Sequence, residues 1–141
     1  MKAIQIKEYV KGPSSLVVST VADPQPKADE YLIRIHASAA NFFDLLQIQG
    51  KYQTQPALPW VAGMEFSGVV ASTPSAGAGH KFNVGDRVFG ATQGAYAEMV
   101  CAREESLRAV PEGWSFAEAA GLMVTAPTSY AGLVLRARVK K

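Results

Sequence analysis

The chain has few of the residues that usually announce chemistry. Its 141 residues include one cysteine, Cys101, and two histidines, His36 and His80. A single cysteine excludes an internal disulfide and points to a reducing or redox-indifferent compartment. Neither charge sign dominates: 14 Lys and Arg against 12 Asp and Glu leave +2, too little to argue for nucleic acid or an anionic membrane as partner. Basic residues gather only at Arg136, Arg138, Lys140 and Lys141, where a helix end favours cations. No apolar run is long enough to cross a membrane. Residues 1–9 alternate as a strand does, without the apolar stretch of a signal peptide. A cytoplasmic protein is the expectation.

What is present is globular. Hydrophobic residues make up 48% and charged residues 18%, with Gly and Pro spread along the chain, a composition able to bury a core without metals or disulfides. The first two-thirds read as β. Ala3–Lys7 and Leu16–Val21 are β-branched runs separated by the turn cluster Gly12-Pro13-Ser14-Ser15, and Pro24 and Pro26 close the second. Tyr31–Ala37 alternates, so one face is expected to be buried. Further strands are expected at Glu65–Val70, Asp86–Gly90 and Ala95–Val100. Asn41 stands as an N-cap before a short helix, Phe42–Ile48, that Gly50 stops. Ser115 and Glu118 form a capping box, and Thr128 is placed to cap a last helix from Ser129 to about Val139. Gly77-Ala78-Gly79 has no helix after it and makes a poor phosphate loop. The pattern predicts a mainly β fold with short helices, a small barrel or sandwich.

The order of the motifs carries more than any one of them. Asn41-Phe42-Phe43-Asp44 is followed by Gly50-Lys51-Tyr52, then Leu58-Pro59-Trp60-Val61-Ala62-Gly63-Met64-Glu65-Phe66-Ser67-Gly68. Gly85-Asp86-Arg87-Val88, Gly94-Ala95-Tyr96-Ala97-Glu98 and Ala119–Tyr130 complete the series. This resembles the N-terminal, GroES-like catalytic domain of the medium-chain dehydrogenase/reductase superfamily, in its zinc-free, quinone oxidoreductase-like branch. The resemblance implies a partly open β-barrel at residues 1–127. It also implies that residues 128–141 lead toward a nucleotide-binding Rossmann domain that is absent from this sequence.

The resemblance further implies an NADPH-dependent oxidoreductase that reduces quinones or activated enones by hydride transfer, with NADPH held largely by the missing domain. Zinc enzymes of the superfamily carry Cys, His and Cys where this chain has Asn41, Met64 and Val124. Amide, thioether and isopropyl groups cannot replace thiolate and imidazole on zinc, so no metal site is expected. Without a Lewis acid a carbonyl must be polarised by hydrogen bonds, or the substrate must accept hydride readily, as conjugated quinones and enones do. Tyr52 is the candidate catalytic residue, a phenol able to orient the cofactor's amide or donate to a developing oxyanion. Asn41, Phe42, Asp44, Leu45, Tyr52 and Thr128 are the candidate cofactor-binding residues. Asn41 is equally readable as a helix cap, Asp44 reads first as a helix-start residue that supports the fold, and Phe42 and Leu45 are readable as core. Glu65 is expected to hydrogen-bond structurally, and Cys101 to act as a small buried hydrophobe. Cofactor binding is expected to be weak in this chain alone and turnover negligible. An exposed apolar stripe on the last helix (Tyr130, Leu133, Val134, Leu135) is expected to fray or self-associate. Two alternatives stand beside this reading: a non-enzymatic GroES-like module pairing with another subunit, and a trans-acting enoyl reductase fragment.

Overall fold

The computed structural model describes residues 1–76 and 79–140, so the Gly77-Ala78 part of the glycine turn lies outside the described residues. Among the described residues eight strands form in chain order: β1 (Lys2–Ile6), β2 (Val18–Thr20), β3 (Glu30–Ala39), β4 (Trp60–Val61), β5 (Glu65–Ser72), β6 (Arg87–Ala91), β7 (Met99–Arg103) and β8 (Leu107–Ala109). The helices are α1 (Phe42–Ile48), α2 (Phe116–Ala120) and α3 (Thr125–Tyr130), which runs on as a wider π-type winding over Ala131–Arg136. The chain is thus mainly β with short helices.

Two antiparallel sheets carry the strands, in the orders β2-β1-β4 and β7-β3-β5-β6-β8. A bridge between Ala3 and Ala97 stitches them together. The larger sheet curls as a partly open barrel, and the alternation in β3 decides what fills it. Tyr31 and Ile33 are fully buried while Arg34 and His36 face outward. Phe66 and Val70 of β5, Val88 of β6, Val100 and Ala102 of β7 and Leu107 of β8 close on the same core. Gly68 is required where β5 runs against β3, because a Cβ there would strike the Arg34 carbonyl oxygen. A second, smaller core gathers Ile6, Ile48, Trp60 and Ala62, and it seats α1 against the smaller sheet.

α2 lies across β3, β5 and β6 of the larger sheet, with Ala119 and Ala120 buried. The Phe116 ring stacks on His36 with centroids 4.4 Å apart, and the Arg87 guanidinium sits 4.5 Å from it. The capping box at Ser115 forms as expected, with the Glu118 amide donating to Ser115 Oγ at 3.2 Å and Ser115 N donating to the Glu118 carboxylate at 2.8 Å. Strands β4 and β8, two and three residues long, are too short to show a period, and only their partners define them. Strand β7 starts at Met99 rather than Ala95, since Ala95 and Tyr96 spend their amides on Gly63 and Ala62 carbonyls.

The last helix differs from expectation. It opens at Thr125, and Thr128 is inside it rather than at its cap. The Thr128 hydroxyl donates to the Val124 carbonyl at 2.7 Å, the i−4 back-bond that threonine makes within helices. Pro127 is accommodated in the first turn, where a helix needs no amide hydrogen.

Candidate functional site

Helix α1 divides the predicted site residues between two flanks. With about 3.6 residues per turn, Asp44, Gln47 and Ile48 point inward and are buried, while Phe42 and Leu45 point out. On one flank Phe43 packs against Tyr52, ring centroids 5.4 Å apart. On the other, Asn41, Phe42, Asp44 and Leu45 join Pro13, Leu16, Ala40, Ile48 and Tyr96 around a cleft of ≈ 340 Å³. Four of the candidate cofactor-binding residues therefore share one cleft. Tyr52 lies outside its lining, and Thr128 stands on the exposed α3. Phe42 is 75% exposed, far more than core packing allows.

Beneath the cleft runs a buried polar seam. The Asp44 carboxylate accepts the Asn41 backbone N–H at 2.8 Å and the Tyr96 hydroxyl at 2.8 Å, both on Oδ2. Asn41 Nδ2 donates to Glu65 Oε1 at 3.2 Å. Gln47 donates to Gln93, which in turn donates to the Val61 and Gly63 carbonyls at 2.8 and 3.3 Å. Asp44 Oδ1, Gln47 Oε1, Trp60 Nε1 and Glu65 Oε2 are buried without a partner among the described residues. Unmatched polar atoms of this kind are costly in a fold and concentrate where a ligand or a titration completes them.

Burial dominates the electrostatics. It pushes the Asp44 carboxyl above its usual range, opposed by the Asn41 amide and the Tyr96 hydroxyl. Glu65, fully buried, is likewise raised by burial, opposed first by Asn41 and then by the amides of Val124 and Met123, with the Asp44 charge adding to the rise. Those two amides face the carboxylate without closing a hydrogen bond to Oε2. Tyr96 is raised by burial and by the neighbouring Asp44. Burial also pushes the Cys101 thiol up to about 11, which leaves it unreactive near neutrality.

Asn41, Glu65 and the start of α3 therefore converge, and Met64 and Val124 supply no thiolate or imidazole. Among the described residues no group of three or more His, Cys, Asp or Glu side chains is placed to hold a metal. Sequence reasoning left Tyr96 and the Gln47–Gln93 pair without a role. A signal for Tyr96 exists in Gly63, whose φ of +88° and lack of a Cβ make room for the tyrosine ring.

The family model of the alcohol dehydrogenase GroES-like domain matches residues 27–112. Among curated proteins, the chain is 34% identical over 131 residues to the mouse (Mus musculus) synaptic vesicle membrane protein VAT-1 homolog-like, covering 92% of this chain and 31% of that protein. It is 32% identical over 143 residues to the human (Homo sapiens) quinone oxidoreductase, covering 99% of this chain and 43% of that one. Among solved structures, Escherichia coli quinone oxidoreductase complexed with NADPH superposes with a TM-score of 0.85 at 26% identity, over 97% of this chain and 41% of that chain. The chain thus spans less than half the length of these relatives.

Proposed function

The chain belongs to the alcohol dehydrogenase GroES-like domain family, and on that premise we propose that it is the substrate-side domain of a zinc-independent, NADPH-dependent oxidoreductase acting on quinones or activated enones. The observation that carries the reading is the cleft beside α1, where an amide, an aromatic ring and a leucine side chain meet over a buried seam that holds carboxylates but no thiolate or imidazole. The exposed faces of Phe42 and Leu45 fit the flat, uncharged ring of a nicotinamide, and Asn41 offers an amide at its edge.

The nicotinamide nucleotide, when bound, supplies the hydride. The residues of this chain bind and orient. Phe42 and Leu45 exclude water from one face of the ring, and Asn41 fixes its polar edge. Tyr52, half-buried against Phe43, lies outside the cleft lining, and its phenol is the proton donor that a substrate reaching past α1 would meet. A quinone or enone spreads that charge through its conjugated system, so it asks less of the hydrogen bonds at the site than a simple ketone would.

The experiment is NADPH titration of the uniformly labelled chain followed by NMR. The reading expects shifts centred on Asn41, Phe42, Leu45 and Tyr52, weakened in Asn41→Ala and Tyr52→Phe. It also expects quinone-dependent NADPH oxidation, where it occurs, to be indifferent to a chelator. Shifts confined to other surfaces, or an activity on simple alcohols that needs zinc, would overturn it.

A second reading, a non-enzymatic GroES-like module that pairs with another subunit or with itself, draws on α3. Tyr130, Leu133 and Leu135 are 58%, 58% and 62% exposed, and an open apolar groove of ≈ 660 Å³ lies between that helix and Phe89, Leu122 and Met123. Size-exclusion chromatography separates the two: association abolished by Leu133→Lys favours pairing, while a concentration-independent monomer removes its support.

A further inference from the structure

Glu65 is fully buried, its carboxyl is raised by that burial, and it is unused by the chemistry above. Its surroundings are few. Asn41 and Asp44 face it from the start of α1, Tyr96 from the turn before β7, and the amides of Met123 and Val124 from the start of α3. No Lys, Arg or His among the described residues enters that set. We infer that Glu65 is the positioning residue for Asn41: the Glu65–Asn41 hydrogen bond decides which end of the Asn41 amide the cleft meets.

The argument is one of donor inventory. An ionised carboxylate only accepts hydrogen bonds, and a primary amide donates only through its nitrogen. With Glu65 ionised, the Asn41 NH₂ must turn toward it, as the 3.2 Å contact shows. The Asn41 carbonyl oxygen is then left on the side of the α1 first turn and of the cleft that Asn41 lines. The backbone of Asn41 cannot swing to change this, because its N–H is held by Asp44 at 2.8 Å and Asp44 is pinned by Tyr96. What remains is rotation of the side-chain amide, which the Asp44 N–H also faces in the capping box. The cleft therefore presents an acceptor, suited to a ligand group that donates: a carboxamide NH₂ or a ribose hydroxyl of a nicotinamide nucleotide. A protonated Glu65 can donate instead, to the Asn41 carbonyl oxygen. The amide can then turn over and show the cleft a donor, which such a ligand group does not match.

The inference rests on the nicotinamide reading of the cleft for its ligand, but not for its geometry, and the test separates the two. The probe is NADPH, and the observables are the Asn41 side-chain amide resonances and the Glu65 carboxyl carbon across a pH series on the intact chain. The Asn41 amide is expected to shift with the Glu65 titration in the native protein and to lose that dependence in Glu65→Gln, whose amide can donate or accept and so imposes no polarity. NADPH binding is expected to weaken about tenfold in Glu65→Gln, in a chain whose cooperative unfolding shows that it is still folded. An Asn41 amide that ignores the Glu65 titration overturns the inference, as does a folded Glu65→Gln chain that binds NADPH as well as the native one. Should Glu65→Gln fail to fold, the native titration decides alone. Should NADPH leave Asn41 unperturbed, the ligand reading fails while the titration still judges the positioning role.

Discussion

The floor of the five-stranded sheet and the seam beneath α1 are both buried, yet they are built from opposite chemistry. The first packs Tyr31, Ile33, Phe66, Val88 and Leu107, with its polar demands met: the Tyr31 hydroxyl donates to Glu104 at 2.7 Å, at the edge of the sheet. The second packs Asp44, Glu65, Gln47 and Tyr96, and leaves several polar atoms without partners. A fold gains stability from the first kind of interior and pays for the second. The difference teaches where to look: a seam that costs stability and adjoins a cleft is kept for what it binds or orients.

The comparison is broken most forcefully from the apolar side. Phe66→Ala should cost about 3–5 kcal/mol by leaving a cavity at the centre of β5, read as loss of the cooperative transition or a large drop in denaturant midpoint. Gly63→Ala should act on the polar side through the backbone. A side chain at φ +88° is strained and would push on the Tyr96 ring, so a loss of about 1–3 kcal/mol is expected, with altered Tyr96 resonances as the specific mark. Tyr96→Phe should cost about 1–2 kcal/mol, because it removes the hydroxyl from a buried carboxylate without replacing it.

The pH dependence sharpens the contrast. Burial raises the Asp44 and Glu65 carboxyls in the folded chain, so each favours folding most when protonated. That contribution is complete below the ordinary carboxylate range and is lost as pH rises through the raised folded values. The melting temperature of Glu65→Gln relative to the native chain should therefore improve as pH rises out of the acid range. A difference that stays flat or falls would mean that Glu65 is not held up by burial. The smallest effect is expected at Thr128→Val. Its hydroxyl bonds back to Val124 within α3 and caps nothing, so stability should move by no more than about 0.5 kcal/mol. A true cap would lose about 1 kcal/mol.

Much of the architecture is legible from residue order because it rests on local rules. The alternation in Tyr31–Ala37, the Asn41 entry to α1, the Gly50 stop and the Ser115–Glu118 box all depend on neighbours within a few positions. The grouping of Asn41, Phe42, Asp44 and Leu45 along one short helix was equally available. The limits are as physical. β4 and β8 have no period of their own, and Thr128 has two hydroxyl partners open to it until the helix is built around it.

What the sequence determined by itself was the β-rich class, the helix boundaries set by caps, and the residue types at 41, 64 and 124, since these follow from side-chain chemistry and short-range sterics. Only the tertiary structure decided that Tyr96, 52 residues away from Asp44, would pin it, that Glu65 would reach across 24 residues to turn Asn41, and that Tyr52 would stand on the far flank of α1. Those facts come from strand register and sheet curvature, which bring distant segments together by burial and leave no mark in any short window of the chain.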